Sequence, residues 1–309
     1  MSNPGTPAQT ANQSAEEWTV QRILTWTTEH LRKQGIESPR LESEILLAHA
    51  RKCQRIELYT HFNEIVKPEV RTRMRELVQR RSQREPVAYL VGHKEFYSLD
   101  FLVEQGVFIP RPETESLVMK AIELLKSHPV PSILELCTGS GCIPISLVKQ
   151  LPRATATTIE LHDRPYEVAQ QNAKRHQVDQ RIRFLKGDLF SPLETKNHAS
   201  FDLLISNPPY VTSEEVPALA PEIARHEPVS ALDGGPDGLD PIRIILNQGA
   251  GFLKAEGYLL LEMDPKQIPA AVNYAEDAGH WAEIGSFADD FGKDRFLIAQ
   301  KLPQPDRGP

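Results

Sequence analysis

Beyond Pro131 the sequence alternates between short apolar runs and amphipathic stretches, and this alternation most limits what the chain can fold into. Several runs are apolar on both faces, as strands are in a parallel sheet that helices cover on both sides. Parallel neighbours need a crossover between them, and residues 166–176 have the pattern of a crossover helix. We therefore predict an α/β domain with a doubly wound sheet. The candidate strands are residues 133–137, 156–161, 181–186, 201–206, 258–263, 281–287 and 296–300.

The region before the sheet has a helical pattern. Its apolar residues recur at helical spacing, and no run resembles a strand. We predict a separate small helical domain over residues 16–85. Its third helix carries arginines that we place on the outer face, either as a solvated basic surface or as a docking surface for an acidic partner. These are Arg71, Arg73, Arg75, Arg80, Arg81 and Arg84.

Three further segments complete the organisation. Residues 86–112 hold aromatic and β-branched side chains around Gly92 and Gly106, which predicts a hairpin linker. The sheet domain follows over residues 113–302. Residues 1–15 and 303–309 are rich in Pro, Gly and polar residues, so we predict disordered tails.

Composition narrows the classes of function. A formal net charge of -7 argues against binding through bulk phosphate attraction, so we expect no direct nucleic-acid partner. Three cysteines form no disulfide framework and lack the spacing of a zinc site, so we expect no metal. We see no secretory signal and no apolar run near the ~18 residues that span a bilayer. We expect a cytoplasmic monomer with no membrane partner.

The first strand of the sheet runs into a loop with two glycines, Cys137-Thr138-Gly139-Ser140-Gly141. The glycines let the backbone approach a ligand and turn into the next helix. Pro144 stands where a dinucleotide fingerprint needs its third glycine, and no Gly-Lys-Ser/Thr follows for a phosphate loop. A nucleoside without phosphates, such as S-adenosylmethionine, needs neither feature.

Two acidic residues end the neighbouring strands at the same edge. Glu160 lies nineteen positions after Gly141, where an acid can accept both hydroxyls of a ribose. Asp188 can accept from an adenine amino group while Leu189 packs on the ring. The alternative for Asp188 is a turn or N-cap aspartate.

The strand at 201–206 leads directly into Asn207-Pro208-Pro209-Tyr210. This tetrapeptide can be a simple turn, a polyproline ligand or, for the tyrosine, part of the core. The buried strand before it argues against an exposed ligand, and the turn shares its edge with the glycine loop. Asn207 and the Pro208 carbonyl can accept the two hydrogens of an acceptor nitrogen, which aims that nitrogen at a methyl donor. Tyr210 can pack on the acceptor with its ring near a sulfonium. An amide and an adenine nitrogen both fit.

Taken together, these motifs resemble the HemK/PrmC family of protein-(glutamine-N5) methyltransferases. The matching stretches run from about residue 18 to 301 and include Ile109-Pro-Arg-Pro-Glu-Thr-Glu115, the glycine loop and Asn207-Pro-Pro-Tyr210. A further match is His226-Glu-Pro228, followed by Ala231-Leu232 and Gly238. The Asn-Pro-Pro-Tyr motif alone is shared with N6-adenine methyltransferases, whereas its combination with the segment 109–115 is more specific.

The resemblance implies a class I, Rossmann-like methyltransferase sheet with a seventh antiparallel strand, behind a helical domain that engages the protein substrate. It implies transfer of a methyl group from S-adenosylmethionine to the glutamine of the Gly-Gly-Gln motif in peptide chain release factors. The matching positions imply cofactor contacts from Cys137, Thr138, Gly139, Ser140, Gly141, Glu160, Asp188, Leu189 and Asn207. Asn207, Pro208, Pro209 and Tyr210 would bind the substrate glutamine, with Asn207, Pro208 and Tyr210 as the catalytic residues.

Three residues depart from the family pattern. Cys137 stands where glycine is usual, Glu135 where aspartate is usual and Phe291 where tyrosine is usual. Alternative functions are a glutamine methyltransferase acting on a ribosomal protein, an N6-adenine nucleic-acid methyltransferase and a binding module that no longer catalyses.

Overall fold

A computed structural model of the chain describes residues 17–303, which form two compact units divided between Val91 and Gly92. The tails predicted to be disordered, 1–15 and 303–309, lie outside the described residues except for Pro303. No helix within residues 17–303 is long and apolar enough to cross a membrane.

The N-terminal unit is helical, as predicted. Its core forms from residues at helical spacing, among them Val20, Leu24 and Leu31, which are fully buried. Helix α1 begins at Thr19, whose hydroxyl accepts the Arg22 N–H at 3.2 Å. The helices are α1 (Val20–Lys33), α2 (Pro39–Arg51), α3 (Arg55–Thr60), α4 (Pro68–Ser82) and α5 (Val87–Val91).

The prediction of an outer arginine face on α4 is wrong for Arg81. That side chain is 4% exposed, and its guanidinium donates to both carboxylate oxygens of Glu42, at 2.6 and 3.3 Å. Burial of a guanidinium requires such a partner, and periodicity alone does not indicate one. Arg80 is paired with Glu85 at the helix end. The exposed arginine surface is therefore smaller than the pattern of α4 indicates.

The second unit opens with a hairpin inside the segment predicted as a linker. Phe96 and Phe101 pack in the core of the sheet unit, whereas Leu90 and Val91 pack in the helical core. The boundary thus falls within residues 86–112, between Val91 and Gly92, because the residues just before Gly92 pack in one core and the hairpin after it packs in the other. The hairpin strands are β1 (His93–Phe96) and β2 (Leu99–Leu102).

A seven-stranded sheet organises the second unit, in the order β5-β4-β3-β6-β7-β9-β8. The first five of these strands pair in parallel, and β9 runs antiparallel between β7 and β8. The predicted class I methyltransferase fold is confirmed. The strands are β3 (Ser132–Leu136), β4 (Thr155–Glu160), β5 (Ile182–Lys186), β6 (Phe201–Ser206), β7 (Leu253–Glu262), β8 (Trp281–Ala288) and β9 (Asp294–Lys301).

Helices cover both faces of the sheet, because alternate residues of its central strands are apolar in both directions. Leu134 and Leu204 belong to one buried cluster, and Ile133, Leu203 and Ile205 belong to the other. The helices of this unit are α6 (Thr114–Leu125), α7 (Cys142–Gln150), α8 (Asp163–Arg175), α9 (Pro221–His226), α10 (Asp240–Gln248) and α11 (Ile268–Ala278).

Candidate active site

The glycine loop and the Asn-Pro-Pro-Tyr turn follow adjacent strands, β3 and β6. Leu136 pairs with Ser206 at the end of these strands, and the Ser206 hydroxyl donates to the Leu136 carbonyl at 2.8 Å. The chain builds outward from β3 to β5 and then returns to β6 on the other side of β3. Ligands of such sheets bind at the carboxyl ends of the strands where the order reverses. The two motifs predicted from sequence therefore flank that point.

One cavity of about 1040 Å³ lies at this edge of the sheet. Its volume is slightly above the ~300–1,000 Å³ that small-molecule sites occupy. Two predicted site residues, Gly141 and Pro208, do not line it. The other predicted site residues all do: Cys137, Thr138, Gly139, Ser140, Glu160, Asp188, Leu189, Asn207, Pro209 and Tyr210.

Gly141 shapes the loop from behind. Its φ is +80°, and an added Cβ would lie 3.0 Å from Ile145 and 3.2 Å from the Cβ of Ala169. The residue thus allows close packing where α7 begins.

Pro208 is buried, and no described residue donates a hydrogen bond to its carbonyl oxygen.

Glu160 connects the loop to the end of β4. Its carboxylate is 7% exposed and accepts the Gly139 N–H at 2.8 Å and the His162 N–H at 2.9 Å, one on each oxygen. Each carboxylate oxygen has a second acceptor site. Glu160 therefore orders the loop backbone and keeps acceptor capacity toward the cavity.

Asp188 stands in a turn, as the alternative interpretation of this residue predicted, but the turn uses only its backbone. Its N–H donates to the Ser191 hydroxyl at 2.9 Å, and its carbonyl accepts the Ser191 N–H at 2.8 Å. The carboxylate has no hydrogen-bond partner within residues 17–303 and lines the cavity. It is therefore available to a ligand.

Cys137 adopts a backbone conformation that favours glycine. Its φ is +60°, in the left-handed region where a side chain costs about 1–2 kcal/mol. The loop therefore keeps the geometry that a glycine would give it and carries a thiol in addition. Burial raises the pKa of this thiol to about 12, with the Glu160 carboxylate adding to the shift. The thiol is neutral and is no nucleophile at physiological pH.

We expect Cys137 and Cys142 to resist alkylation. Burial raises the pKa of the Cys142 thiol to about 12 as well, and only thiolates react with iodoacetamide. At pH 8 a thiol with a pKa of 12 is ~10⁻⁴ ionised, so both should react ~10³-fold more slowly than an ordinary cysteine. Peptide mass spectrometry of native protein measures this, with the denatured chain as control. Rapid native labelling of either residue would contradict the raised pKa of its thiol.

The Asn207–Tyr210 turn is held from several sides. The Tyr210 carbonyl accepts from the Gln267 side-chain amide at 2.8 Å, and the Val211 N–H donates to the Leu232 carbonyl at 2.8 Å. Tyr210 itself packs against the core of the sheet unit, and burial raises the pKa of its phenol. Gly238 has a φ of +74° and lies against the Tyr210 carbonyl, with no room for a side chain.

The side chain of Asn207 begins a buried hydrogen-bond chain. Its Nδ2 donates to Thr114 Oγ1 at 3.3 Å, and that hydroxyl donates to Glu262 Oε2 at 2.8 Å. Glu262 is 1% exposed, and burial raises the pKa of its carboxyl to about 7. The Oδ1 atom of Asn207 accepts nothing within residues 17–303, while the residue lines the cavity.

A second buried carboxylate, Glu227, secures the segment before α6. Glu227 accepts the Ile109 N–H at 3.1 Å and an Arg111 guanidinium N–H at 2.5 Å. The Arg111 guanidinium also lies 4.5 Å from the centre of the Phe108 ring. This joins the 109–115 segment to the 226–228 segment along the cavity wall.

Sequence reasoning gave no role to Thr114, Glu227, Glu262 or Gln267. A signal existed for Glu262, because an acidic residue that ends a run of leucines is costly to bury without a function. Among the departures from the family pattern, Phe291 is 67% exposed and does not line the cavity. Glu135 is fully buried, and burial raises the pKa of its carboxyl.

Comparison with known proteins identifies similar chains over most of the length. A model described as the PrmC N-terminal domain matches residues 22–92, and the Methyltransferase small domain matches residues 100–233. The release factor glutamine methyltransferase of Rhodopirellula baltica is 42% identical, covering 95% of this chain and 99% of that protein. That of Geobacter sulfurreducens is 40% identical, with 91% and 96% covered.

A solved structure supports the fold alone. The hMettl16 catalytic domain, in complex with MAT2A 3'UTR hairpin 6, superposes with a TM-score of 0.55. It is 15% identical and covers 73% of this chain and 82% of that chain.

Proposed function

The chain belongs to the release factor glutamine methyltransferase family, and we propose that it methylates the side-chain amide nitrogen of the glutamine in the Gly-Gly-Gln motif of release factors. The observation that carries the proposal is the joint opening of the glycine loop and the Asn207–Tyr210 turn into one cavity. S-adenosylmethionine is the methyl donor that this family and fold imply.

The residues at the cavity fit S-adenosylmethionine in chemical type. The exposed Asp188 carboxylate can accept from an adenine amino group, with Leu189 beside it. Glu160 offers acceptor sites for ribose hydroxyls. The glycine loop Cys137–Gly141 lets its backbone approach the ligand and contains no phosphate-binding motif. When bound, this co-substrate supplies an electrophilic methyl group on a sulfonium.

Asn207 and Pro208 supply acceptors for the target nitrogen. An amide nitrogen is a weak nucleophile because its lone pair is delocalised into the carbonyl. Asn207, which lines the cavity, accepts one of the target nitrogen's hydrogens with Oδ1. The Pro208 carbonyl, which does not line the cavity but accepts no hydrogen bond within residues 17–303, is the proposed acceptor of the other. Both acceptors fix the direction of the lone pair and stabilise the positive charge that grows on nitrogen during transfer. Tyr210 adds a neutral aromatic wall.

Methyl transfer also has to release a proton from the amide nitrogen. As the nitrogen–carbon bond forms, the bond from carbon to sulfur breaks and its electron pair stays on sulfur. The methylated nitrogen is then acidic and loses one hydrogen as a proton to water. Positioning and electrostatics thus suffice, and no residue at the turn has to act as an obligatory general base.

The test is methyl transfer from labelled S-adenosylmethionine to a release factor carrying Gly-Gly-Gln. We expect label on that factor and none on a Gly-Gly-Ala version, because alanine has no amide nitrogen. Fragmentation of the labelled peptide should place the methyl group on the glutamine side chain. Equal label on both versions would exclude this site of modification.

The same assay separates the alternative substrates. Ribosomal proteins, DNA and RNA are offered in place of the release factor, and preferential labelling of one of these would identify a different acceptor. We propose that the helical unit over residues 16–85 engages the protein substrate, and that the enzyme acts in the cytoplasm as a monomer without metal or direct nucleic-acid contacts.

A further inference from the structure

An asparagine that offers its side-chain oxygen to a substrate has to be held in one of its two possible carboxamide orientations. Its carboxamide has nearly the same shape in both orientations, but one presents an acceptor and the other a donor. In the reversed orientation the Asn207 NH₂ group would face the hydrogens of the target amide. It could not accept them, and the target nitrogen would not be directed at the methyl group. Something else in the fold therefore has to select the orientation of Asn207.

The hydrogen-bond chain behind Asn207 has the required polarity. Thr114 has a single hydroxyl hydrogen, and that hydrogen goes to Glu262 Oε2 at 2.8 Å. The hydroxyl oxygen can then only accept from Asn207, which it does from Nδ2 at 3.3 Å. Thr114 and Glu262 are 2% and 1% exposed, so both groups are shielded from bulk water.

We propose that Thr114 and Glu262 are positioning residues that orient the Asn207 carboxamide, so that its oxygen faces the acceptor nitrogen. This inference rests on the proposed function, in which Asn207 clamps the substrate amide. Neither residue touches the reacting atoms. Glu262 acts through the Thr114 hydroxyl, and Thr114 acts through Asn207.

The protonation state of Glu262 sets the direction of the chain. As a carboxylate, Glu262 can only accept, which leaves Asn207 as the donor at the other end. When Glu262 is protonated, it can donate a hydrogen bond to the Thr114 hydroxyl oxygen. The Thr114 hydroxyl hydrogen then points to Asn207 and favours the carboxamide orientation in which Oδ1 faces Thr114 and Nδ2 faces the substrate. With the pKa of Glu262 raised to about 7, the productive orientation dominates above that pH and is lost as the pH falls through it.

Several charged groups surround Glu262 and explain why its carboxyl titrates near neutrality. Burial has the largest effect and favours the neutral form. Arg295 and Arg111 favour the carboxylate, whereas Glu113 opposes it. Arg295 is itself paired with Asp289 at 2.8 Å, which weakens its hold on Glu262. The Tyr210 phenol and the Cys142 thiol, both of which are neutral near pH 7, also interact with Glu262.

Thr114→Val tests the link to Asn207. The change preserves shape and removes the hydroxyl, so we expect kcat to fall ~10-fold, the effect of one hydrogen bond of ~1.4 kcal/mol. The affinity for S-adenosylmethionine, measured by calorimetry, should change less than ~3-fold because no cofactor contact is lost. Thr114→Ser keeps the hydroxyl and should restore most of kcat.

The matched control is Thr27→Val in the helical unit. Thr27 is 1% exposed, and its hydroxyl has no hydrogen-bond partner within residues 17–303. This variant should keep the wild-type kcat. Wild-type turnover by Thr114→Val, or an equal loss in Thr114→Ser, would overturn the proposal.

Glu262→Gln tests whether Glu262 controls the pH dependence of kcat, which a purely structural role would not affect. The wild-type kcat should fall below a pH of about 7, while Glu262→Gln should show no step there because an amide does not titrate. An unchanged pH step in Glu262→Gln would overturn the inference. If Asn207→Ala is inactive but Thr114→Val is not, this inference alone fails; if the wild type does not methylate the Gly-Gly-Gln glutamine, the proposed function fails.

Discussion

Asn207→Ala is expected to lower kcat for methyl transfer by about 10²–10³-fold, the size of effect seen when one preorganised group facing a developing charge is removed. The variant loses the side-chain oxygen that Asn207 offers to the target nitrogen. It should keep its fold, because the Asn207 side chain makes a single hydrogen bond within residues 17–303, at 3.3 Å. Steady-state kinetics with a release factor and a thermal melt measure both expectations.

Asn247→Ala is the matched control for this variant. Asn247 lies on α10, is exposed and donates to the Tyr274 hydroxyl at 2.7 Å. It carries the same chemical change away from the cavity and should leave kcat within about twofold of the wild type. Near-normal turnover by Asn207→Ala would remove Asn207 from the proposed mechanism.

Gly238→Ala should both destabilise the protein and lower its activity. The residue has a φ of +74°, and an added Cβ would overlap the Tyr210 carbonyl oxygen and the Gln267 side-chain amide. The left-handed conformation costs about 1–2 kcal/mol and the overlap adds about 1–3 kcal/mol. Relief of the overlap must shift the Asn207–Tyr210 turn, and a shift of about 1 Å can cost ~10²-fold in rate.

Gly279→Ala separates these two effects. Gly279 follows the end of α11 with a φ of +67°, but an added Cβ there meets nothing within 4 Å. This variant should lose about 1–2 kcal/mol in denaturant unfolding, from the backbone term alone, and keep its kcat. Equal destabilisation of the two variants, with equal activity, would show that the packing of Gly238 against Tyr210 is unimportant.

The sheet was predictable because strand and crossover patterns depend on local periodicity. All seven candidate strands overlap observed strands, and 201–206 coincides with β6. Once parallel strands are assumed, their carboxyl ends share one edge, so the meeting of Cys137, Glu160 and Asn207 at one cavity also followed. The roles of these residues toward cofactor and substrate remain proposals.

Local sequence patterns do not indicate contacts with residues that are distant in sequence. Helical periodicity predicts an outward Arg81, yet this side chain is buried against Glu42, 39 residues away. The segment 86–112, which the pattern predicts as one hairpin linker, spans the boundary between two cores, with Leu90 and Val91 in one and Phe96 and Phe101 in the other. The spacing of apolar residues predicts whether a segment is a helix or a strand. It does not predict which distant charged residue or which core that segment will contact.

The sheet, the edge at which the site residues meet and the Asn207–Tyr210 turn can be predicted from sequence, because each depends on residue type at short spacing. The hydrogen bonds that orient Asn207 cannot be predicted in this way, because they depend on residues far apart along the chain. Thr114 lies 93 residues from Asn207 and 148 residues from Glu262. Folding buries Thr114 and Glu262 together, and there a single hydroxyl hydrogen sets the direction of the whole hydrogen-bond chain.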